Sequence, residues 1–183
     1  MLVYHGTNAN IAEIDLTKGT RFKDFGQGFY VTPDLETAQR MARKKVALFK
    51  GKPTVISYEL DESALTAADL DVLTFPEKAS AEWINFVSNN RDRHATPSPH
   101  SYDVVKGPIA DDGVALQLSR LRLHADEAEQ IALDLQDKYL DQQLCFRTQR
   151  SLTHLKKVTV CELKQLPHTT PLRPSSPTTS SAR

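Results

Sequence analysis

The sequence predicts one α+β domain over residues 1–165, followed by a disordered polar tail at 166–183. Short β-prone runs and helical patterns alternate irregularly along the chain, which favours an α+β arrangement over a doubly wound parallel sheet. The 183 residues are enough for a single domain with a real hydrophobic core. From Leu166 onward the chain is rich in Pro, Ser and Thr, a composition typical of disorder.

The first third of the chain contains two β-prone runs and one helical pattern. Gly6 is predicted to end the first run. Thr32 and Pro33 follow the second run and are typical of a helix N-cap and a first helical position. Apolar residues then recur at helical spacing. The predicted elements are a strand at 2–5, a strand at 29–31 and a helix that ends before 51–53.

The rest of the domain continues this irregular alternation. Apolar and polar side chains alternate over 54–60 as in a strand, and Ser80 is a typical N-cap for a short helix that carries Trp83. The further predicted elements are a strand at 102–110, a helix from 128 to 139, a strand at 144–146, a short helix through 152–155 and a strand at 158–163.

Composition sets limits on the classes of function. The formal net charge is +0, so no global charge draws the chain to nucleic acid or to an anionic membrane. Cys145 and Cys161 lie in apolar stretches and are predicted to be buried free thiols rather than metal ligands. No apolar run approaches the ~18 residues of a membrane span, and the first motif leaves no room for a signal peptide. A cytoplasmic location is therefore expected.

Two motifs near the start can hold a planar amide and an aromatic ring. They are Tyr-His-Gly-Thr at 4–7 and Gly-Gln-Gly-Phe-Tyr at 26–30. Gly6 allows a ligand amide to pair with its backbone N–H and C=O, the glycines at 26 and 28 allow a tight turn, and an aromatic ring offers a stacking face. A histidine that ends an edge strand, and a Phe-Tyr pair in a core strand, are the alternative interpretations.

Three later motifs contribute polar side chains. Trp83 is followed by Asn90-Arg91, and the guanidinium of Arg91 matches phosphate oxygens unless it is simply solvent-exposed. Residues 102–112 read Tyr-Asp-x-Val-x-Gly-Pro-x-Ala-Asp-Asp, and residues 143–148 read Gln-x-x-Phe-x-Thr. Adjacent aspartates after a strand orient a hydroxyl group, or they form a turn through their own backbone.

As a set, these segments resemble a bacterial family of unknown function assigned to the ADP-ribosyltransferase clan, of the His-Tyr type that includes the poly(ADP-ribose) polymerases. The resemblance implies a split mixed β-sheet with flanking helices and a central NAD cleft. It also implies an enzyme that transfers ADP-ribose from NAD to an acceptor and releases nicotinamide, an activity that fits a bacterial toxin or effector. NAD is then a substrate, and no metal is implied.

The resemblance also implies roles for individual residues. His5 hydrogen-bonds the adenosine ribose, Tyr30 or Phe29 stacks on nicotinamide, and Gln143 braces the ribose where related enzymes carry glutamate. The second stacking tyrosine of those enzymes is replaced here by Arg40 or Met41. The implied NAD-binding residues are His5, Gly6, Thr7, Gly28, Phe29, Tyr30 and Arg91; the implied catalytic residues are Gln143, Asp111 and Asp112.

The glutamine leaves three interpretations open, because an amide orients a hydroxyl group but carries no negative charge. In the first, Gln143 binds the ribose while Asp141, Asp111 or Asp112 supplies the negative charge. In the second, the enzyme is slow or specialised. In the third, the fold binds NAD without turnover. Polar residues at a strand start are the alternative interpretation of the Gln142-Gln143 pair itself.

Two other classes of protein fit the same motifs. One is a non-catalytic NAD or nucleotide sensor, and the other is a partner-binding protein such as one component of a toxin–antitoxin pair. The expected partners are an ADP-ribose acceptor (protein, nucleic acid or small molecule) and an antitoxin or immunity protein, with no membrane.

Overall fold

The structure is a computed structural model that describes residues 1–66, 68–94, 100–121 and 127–164. The tail predicted to be disordered at 166–183 lies outside the described residues, so that prediction stays a prediction. The described residues form seven strands and five α-helices. In chain order these are β1 Leu2–Thr7, β2 Phe29–Val31, α1 Leu35–Phe49, β3 Thr54–Leu60, β4 Val72–Thr74, α2 Ala81–Arg91, β5 Val104–Pro108, α3 Asp112–Leu121, α4 Ala128–Asp134, β6 Gln142–Phe146, α5 Gln149–Leu152 and β7 Leu155–Glu162.

The strands form two separate sheets. Sheet A is antiparallel with the order β1-β3-β7. Sheet B has the order β2-β6-β5-β4, in which β4 and β5 are parallel and the other pairs antiparallel. The α+β class predicted from the sequence is confirmed. Most boundaries of the predicted elements shift by a few residues; α4, for example, ends five residues before the predicted position. Helix α3 and strand β4 were missed, since the Asp111-Asp112 pair, which a turn would also explain, instead leads into a helix of 10 residues.

The two sheets pack face to face between layers of helix. Strand side chains point alternately to the two faces of each sheet. Val3 and Ile56 of sheet A meet Phe29 and Phe146 of sheet B in one buried cluster. The other face of sheet B packs on α2, α3 and α4 through residues such as Trp83, and α1 covers the outer face of sheet A.

Helix α1 begins at a different cap from the predicted one. Thr32 exchanges two backbone hydrogen bonds with Tyr4, at 2.8 and 2.9 Å, which hold it in an extended conformation outside the helix. The side chain of Asp34 instead accepts from the N–H of Thr37 at 2.6 Å and caps the helix. The prediction of Thr32 as N-cap was therefore wrong, because a tertiary strand contact fixed its backbone.

Gly6 lies within β1 and does not end it. A Cβ atom at this position would lie 2.9 Å from the backbone nitrogen of Ala42, and closer still to the carbonyl oxygen of Ala38. Only glycine allows α1 to approach β1 this closely, so the helix and the strand are locked together at this point.

The two cysteines differ from each other. Cys145 is fully buried in sheet B, as predicted, whereas Cys161 is exposed. Cys161 lies on β7, the edge strand of sheet A, where Val158 and Val160 are exposed as well. The prediction of a buried Cys161 was wrong because apolar residues do not show which strand lies at an edge. None of the helices in the described ranges is long and apolar enough to cross a membrane.

Two of the sequence motifs meet at a buried carboxylate, Asp103. Its oxygens accept from the hydroxyl of Thr148 at 2.6 Å and from the guanidinium of Arg150 at 2.7 Å. Burial alone would raise the pKa of Asp103, but the bonds from Arg150 and Thr148 outweigh it and lower the pKa to about 2. The Tyr-Asp and Gln-x-x-Phe-x-Thr motifs are thus joined by the hydrogen bond from Thr148 to Asp103, and Arg150, two residues beyond the second motif, completes a structural ion pair.

Alanine at position 6 is expected to destabilise the protein by about 1–3 kcal/mol or more, because the new methyl group overlaps the backbone of α1. The matched control is Gly113→Ala in the first turn of α3, where a Cβ meets only the ends of the Asp111 and Lys138 side chains. That change should be neutral or stabilising by up to about 1 kcal/mol. Urea denaturation followed by circular dichroism measures both, and equal stability of the two variants would contradict this packing.

Candidate functional site

Strands β1 and β2 touch at one point and then separate. Tyr4 and Thr32 form an isolated antiparallel bridge, after which β1 continues in sheet A and β2 belongs to sheet B. The space between Gly6 and Tyr30, one step beyond this bridge, is called the β1–β2 gap here. Several of the predicted site residues border it.

The backbone of Gly6 faces this gap. Met1 and Leu60 exchange two hydrogen bonds, at 2.9 and 2.8 Å, so alternate residues of β1 starting from Met1 bond to β3. Tyr4 and Gly6 direct their N–H and C=O groups away from β3, toward β2. Tyr4 uses them on Thr32, but no hydrogen bond joins Gly6 to Tyr30 in the described part of the chain. A buried peptide group therefore presents a donor and an acceptor to the gap.

The His5 imidazole, rather than the Gly6 backbone, forms the hydrogen bond to the Tyr30 backbone. Its Nδ1 lies 2.6 Å from the Tyr30 carbonyl oxygen, which requires Nδ1 to carry a proton and donate it. The ring stacks on Phe29 with centroids 4.4 Å apart. Burial and the neighbouring charge of Lys45 lower the pKa of His5 to about 3, so the imidazole is neutral at physiological pH. His5 thereby holds β2 beside β1 through a side chain, without backbone hydrogen bonds between Gly6 and Tyr30 in the described part of the chain.

The Tyr30 side chain is hydrogen-bonded to the backbone of the loop that precedes β2. Its hydroxyl group donates to the Gly26 carbonyl at 2.6 Å and accepts from the N–H of Phe25 at 3.0 Å. Gly26 has a φ of 78°, as the predicted tight turn requires. The ammonium of Lys23 lies 4.9 Å from the centroid of the Tyr30 ring and covers one of its two faces. Stacking of nicotinamide on Tyr30 stays a prediction, and on this face it requires Lys23 to move.

Asp24 is the central polar residue of the site, and sequence reasoning missed it. One oxygen accepts from Arg91 Nε at 2.8 Å; the other accepts from the Ala110 N–H at 3.0 Å and from the Gln143 amide at 2.8 Å. Arg91 also donates to the Ala110 carbonyl at 2.7 Å. The available signal was an aspartate directly before the Phe-Gly-x-Gly sequence, to which no role was assigned.

Gln143 is fixed in one orientation by this network. Its amide nitrogen donates to Asp24 and to the Pro108 carbonyl, at 2.8 and 3.2 Å. Among the residues that the structure describes, none donates to its oxygen Oε1. Gln143 and Cys145 are two residues apart on β6, so their side chains lie on the same face of sheet B. Cys145 is paired with Tyr30 across the strands, which places the Tyr30 side chain on that face as well. The buried amide thus keeps one acceptor available for a ligand.

The other predicted catalytic residues are held in ion pairs. Asp111 caps α3 through the N–H of Val114 and pairs with Lys138 at 3.0 Å. Asp112 is highly exposed and pairs with Lys44 of α1 at 2.8 Å. Asp141, the third candidate for the negative charge, pairs with Arg40 of α1. The structure therefore ties the carboxylates beside β6 to cations instead of leaving them open.

The remaining predicted NAD-binding residues have structural contacts of their own. A Cβ atom at Gly28 would lie 2.5 Å from Cys145 Sγ and 2.7 Å from the Phe146 carbonyl oxygen, so close packing on β6 requires glycine there. Phe29 is buried between the sheets, and the Thr7 hydroxyl accepts from the Ala9 N–H at 3.4 Å. Arg91 is engaged by Asp24 and Ala110. Contacts of these residues with NAD stay predictions.

Within the described ranges, no group of three or more His, Cys, Asp or Glu side chains comes together in a way that could hold a metal ion.

Glutamate at position 143 is expected to destabilise the protein. It places a carboxylate where an amide now donates to Asp24, and two adjacent carboxylates repel each other. We expect Gln143→Glu to lower the free energy of unfolding at pH 7 by about 2–4 kcal/mol. The double variant Asp24→Asn with Gln143→Glu exchanges donor and acceptor at unchanged net charge and should recover part of that loss. Urea denaturation measures both, and a single variant as stable as the wild type would exclude the Asp24–Gln143 bond.

Comparison with known proteins gives one match. No curated protein and no solved structure matches the chain. The sequence profile of a family described as "Protein of unknown function (DUF3990)" matches residues 1–157. This match covers both sheets up to the first residues of β7 and every residue of the site described above. The chain therefore belongs to the DUF3990 family.

Proposed function

We propose that this protein binds NAD in the β1–β2 gap and transfers its ADP-ribose to an acceptor, with release of nicotinamide. The proposal includes an ADP-ribosyltransferase-like fold, in which the two sheets correspond to the halves of a split mixed β-sheet and the gap to its central NAD cleft. Support comes from the separation of β1 and β2 beside the residues of the His-Gly and Gly-x-Gly-Phe-Tyr motifs.

The observation that carries the proposal is that the N–H and C=O of Gly6 have no hydrogen-bond partner among the described residues. A buried N–H or C=O without a partner costs about 1–3 kcal/mol, so a fold that retains both groups unpaired favours a ligand that satisfies them. The carboxamide of nicotinamide has an acceptor oxygen beside a donor NH2 group, and one peptide unit can bond to both. In this arrangement the carboxamide of nicotinamide forms the hydrogen bonds to Gly6 that a continuing β2 strand would otherwise form.

Gln143 and Asp24 are proposed to act on the ribose. The available Oε1 of Gln143 accepts a hydrogen bond from a ribose hydroxyl group, and the bond to Asp24 prevents the amide from turning round. As the C1′–nicotinamide bond breaks, its electron pair leaves with nicotinamide, and positive charge develops on the ribose. The amide dipole stabilises this charge because it is already oriented. The acceptor nucleophile then bonds to C1′ and gives up its proton.

His5 is proposed to contact the adenosine ribose in its neutral form. Its Nδ1 is committed to Tyr30, and its Nε2 lies 3.4 Å from Lys45. A ribose hydroxyl group can replace the weak lysine contact by donating to Nε2. The low pKa of His5 ensures that this nitrogen remains an acceptor at neutral pH.

One observation favours a second candidate function, an NAD-binding sensor without turnover. Asp24 and the three carboxylates that are candidates for supplying charge are all engaged with cations: Asp24 with Arg91, Asp111 with Lys138, Asp112 with Lys44 and Asp141 with Arg40. With these pairs intact, the developing cation is stabilised by a dipole rather than by a full charge. A sensor needs the gap but not this stabilisation.

Calorimetric titration of NAD, with free nicotinamide assayed in the same samples, tests the proposal. We expect binding together with nicotinamide release, and the Gln143→Leu variant should slow release more than it weakens binding. Nicotinamide should compete with NAD at least about tenfold better than 3-acetylpyridine, which lacks the NH2 donor for the Gly6 carbonyl. Binding without release over hours would favour the sensor. Absence of NAD binding to the folded protein would contradict both functions.

A further inference from the structure

Two lysines from different parts of the chain approach the β1–β2 gap. Lys45 extends from α1, and its ammonium lies 3.4 Å from Nε2 of His5. Lys23 lies in the segment before β2, and its ammonium stands over the Tyr30 ring at 4.9 Å from the centroid. His5 and Tyr30 are the two residues joined across the gap by the 2.6 Å bond. The two positive charges therefore flank the same opening.

In the described part of the chain, these lysines form no ion pair with a carboxylate, unlike several nearby cations. Arg40, Lys44, Arg91 and Lys138 each form an ion pair with an aspartate. Within the described ranges no carboxylate lies at ion-pair distance from Lys23 or Lys45. Lys45 shares α1 with Arg40 and Lys44; these two cations pair with aspartates, whereas Lys45 contacts His5 at the gap.

The electrostatics of the pair favour an anionic ligand. Both lysines are half-buried. Burial and the nearby charge of Lys23 lower the pKa of Lys45 to about 8, and burial also lowers the pKa of Lys23. Two like charges held partly out of water repel each other, and an anion bound between them converts this repulsion into attraction.

We propose that Lys23 and Lys45 form a binding site for a diphosphate group at the β1–β2 gap. Ammonium groups bind phosphate oxygens as compact charges with three donors each, and two of them on opposite sides of a gap suit two linked phosphoryl groups. If NAD is the ligand, this group is its diphosphate, and to that extent the assignment rests on the proposed function. The site itself is defined by charge and geometry and takes free pyrophosphate as well.

Titration of inorganic pyrophosphate and of ADP-ribose at low salt tests the site. The variants are Lys23→Gln and Lys45→Gln, with Lys52→Gln as matched control, since Lys52 is exposed and paired with Glu162 away from the gap. Each gap variant should weaken binding of both ligands at least about tenfold, whereas the control should stay within about twofold of the wild type. Urea midpoints establish folding, and both gap variants should be at least as stable as the wild type.

The outcomes separate this site from the proposed function. Pyrophosphate binding that requires both lysines, in a protein that binds neither NAD nor nicotinamide, would support the diphosphate site and exclude the transferase. NAD binding that neither lysine variant weakens would overturn the site and leave the transferase standing. A wild-type protein that does not bind pyrophosphate at about 1 mM would also overturn the site.

Discussion

The carboxylate of Asp24 is the contact on which the rest of the site depends. A buried carboxylate is stable only when its oxygens are fully engaged, and Asp24 meets this condition with donors from α2, from the end of β5 and from β6. These donors belong to Arg91, Ala110 and Gln143, which come from three separate sequence motifs. The aspartate therefore fixes the loop before β2, the helix that carries Arg91 and the orientation of the Gln143 amide together.

The β1–β2 gap is maintained from both sides. On the β1 side, Gly6 packs so closely on α1 that the strand cannot move toward β2 without moving the helix. On the β2 side, the hydroxyl group of Tyr30 and the imidazole of His5 hold the strand by side-chain bonds. Within the described ranges, packing thus leaves the N–H and C=O of Gly6 without a partner, and a ligand that bonded to them would find both groups already in place.

Sequence reasoning predicted local features and missed those that depend on distant contacts. The α+β class, the strand at 29–31 and the turn at Gly26 follow from periodicity and glycine, which act locally. Asp34 replaces Thr32 as the helix cap because of a strand contact, and Cys161 is exposed because its strand forms an edge. Asp24 was missed because a single aspartate beside a turn is usually local, whereas its partners lie 67, 86 and 119 residues away.

The most direct test of the account is the response of the Gly6 backbone amide to nicotinamide, observed by NMR on the uniformly labelled protein. We expect the Gly6 resonance to shift downfield and its hydrogen exchange to slow as the amide gains an acceptor, with the largest changes at Gly6 and Tyr30. Saturation with nicotinamide that leaves the Gly6 amide unchanged, or failure of nicotinamide to bind the folded protein, would contradict the assignment of the gap as an NAD site.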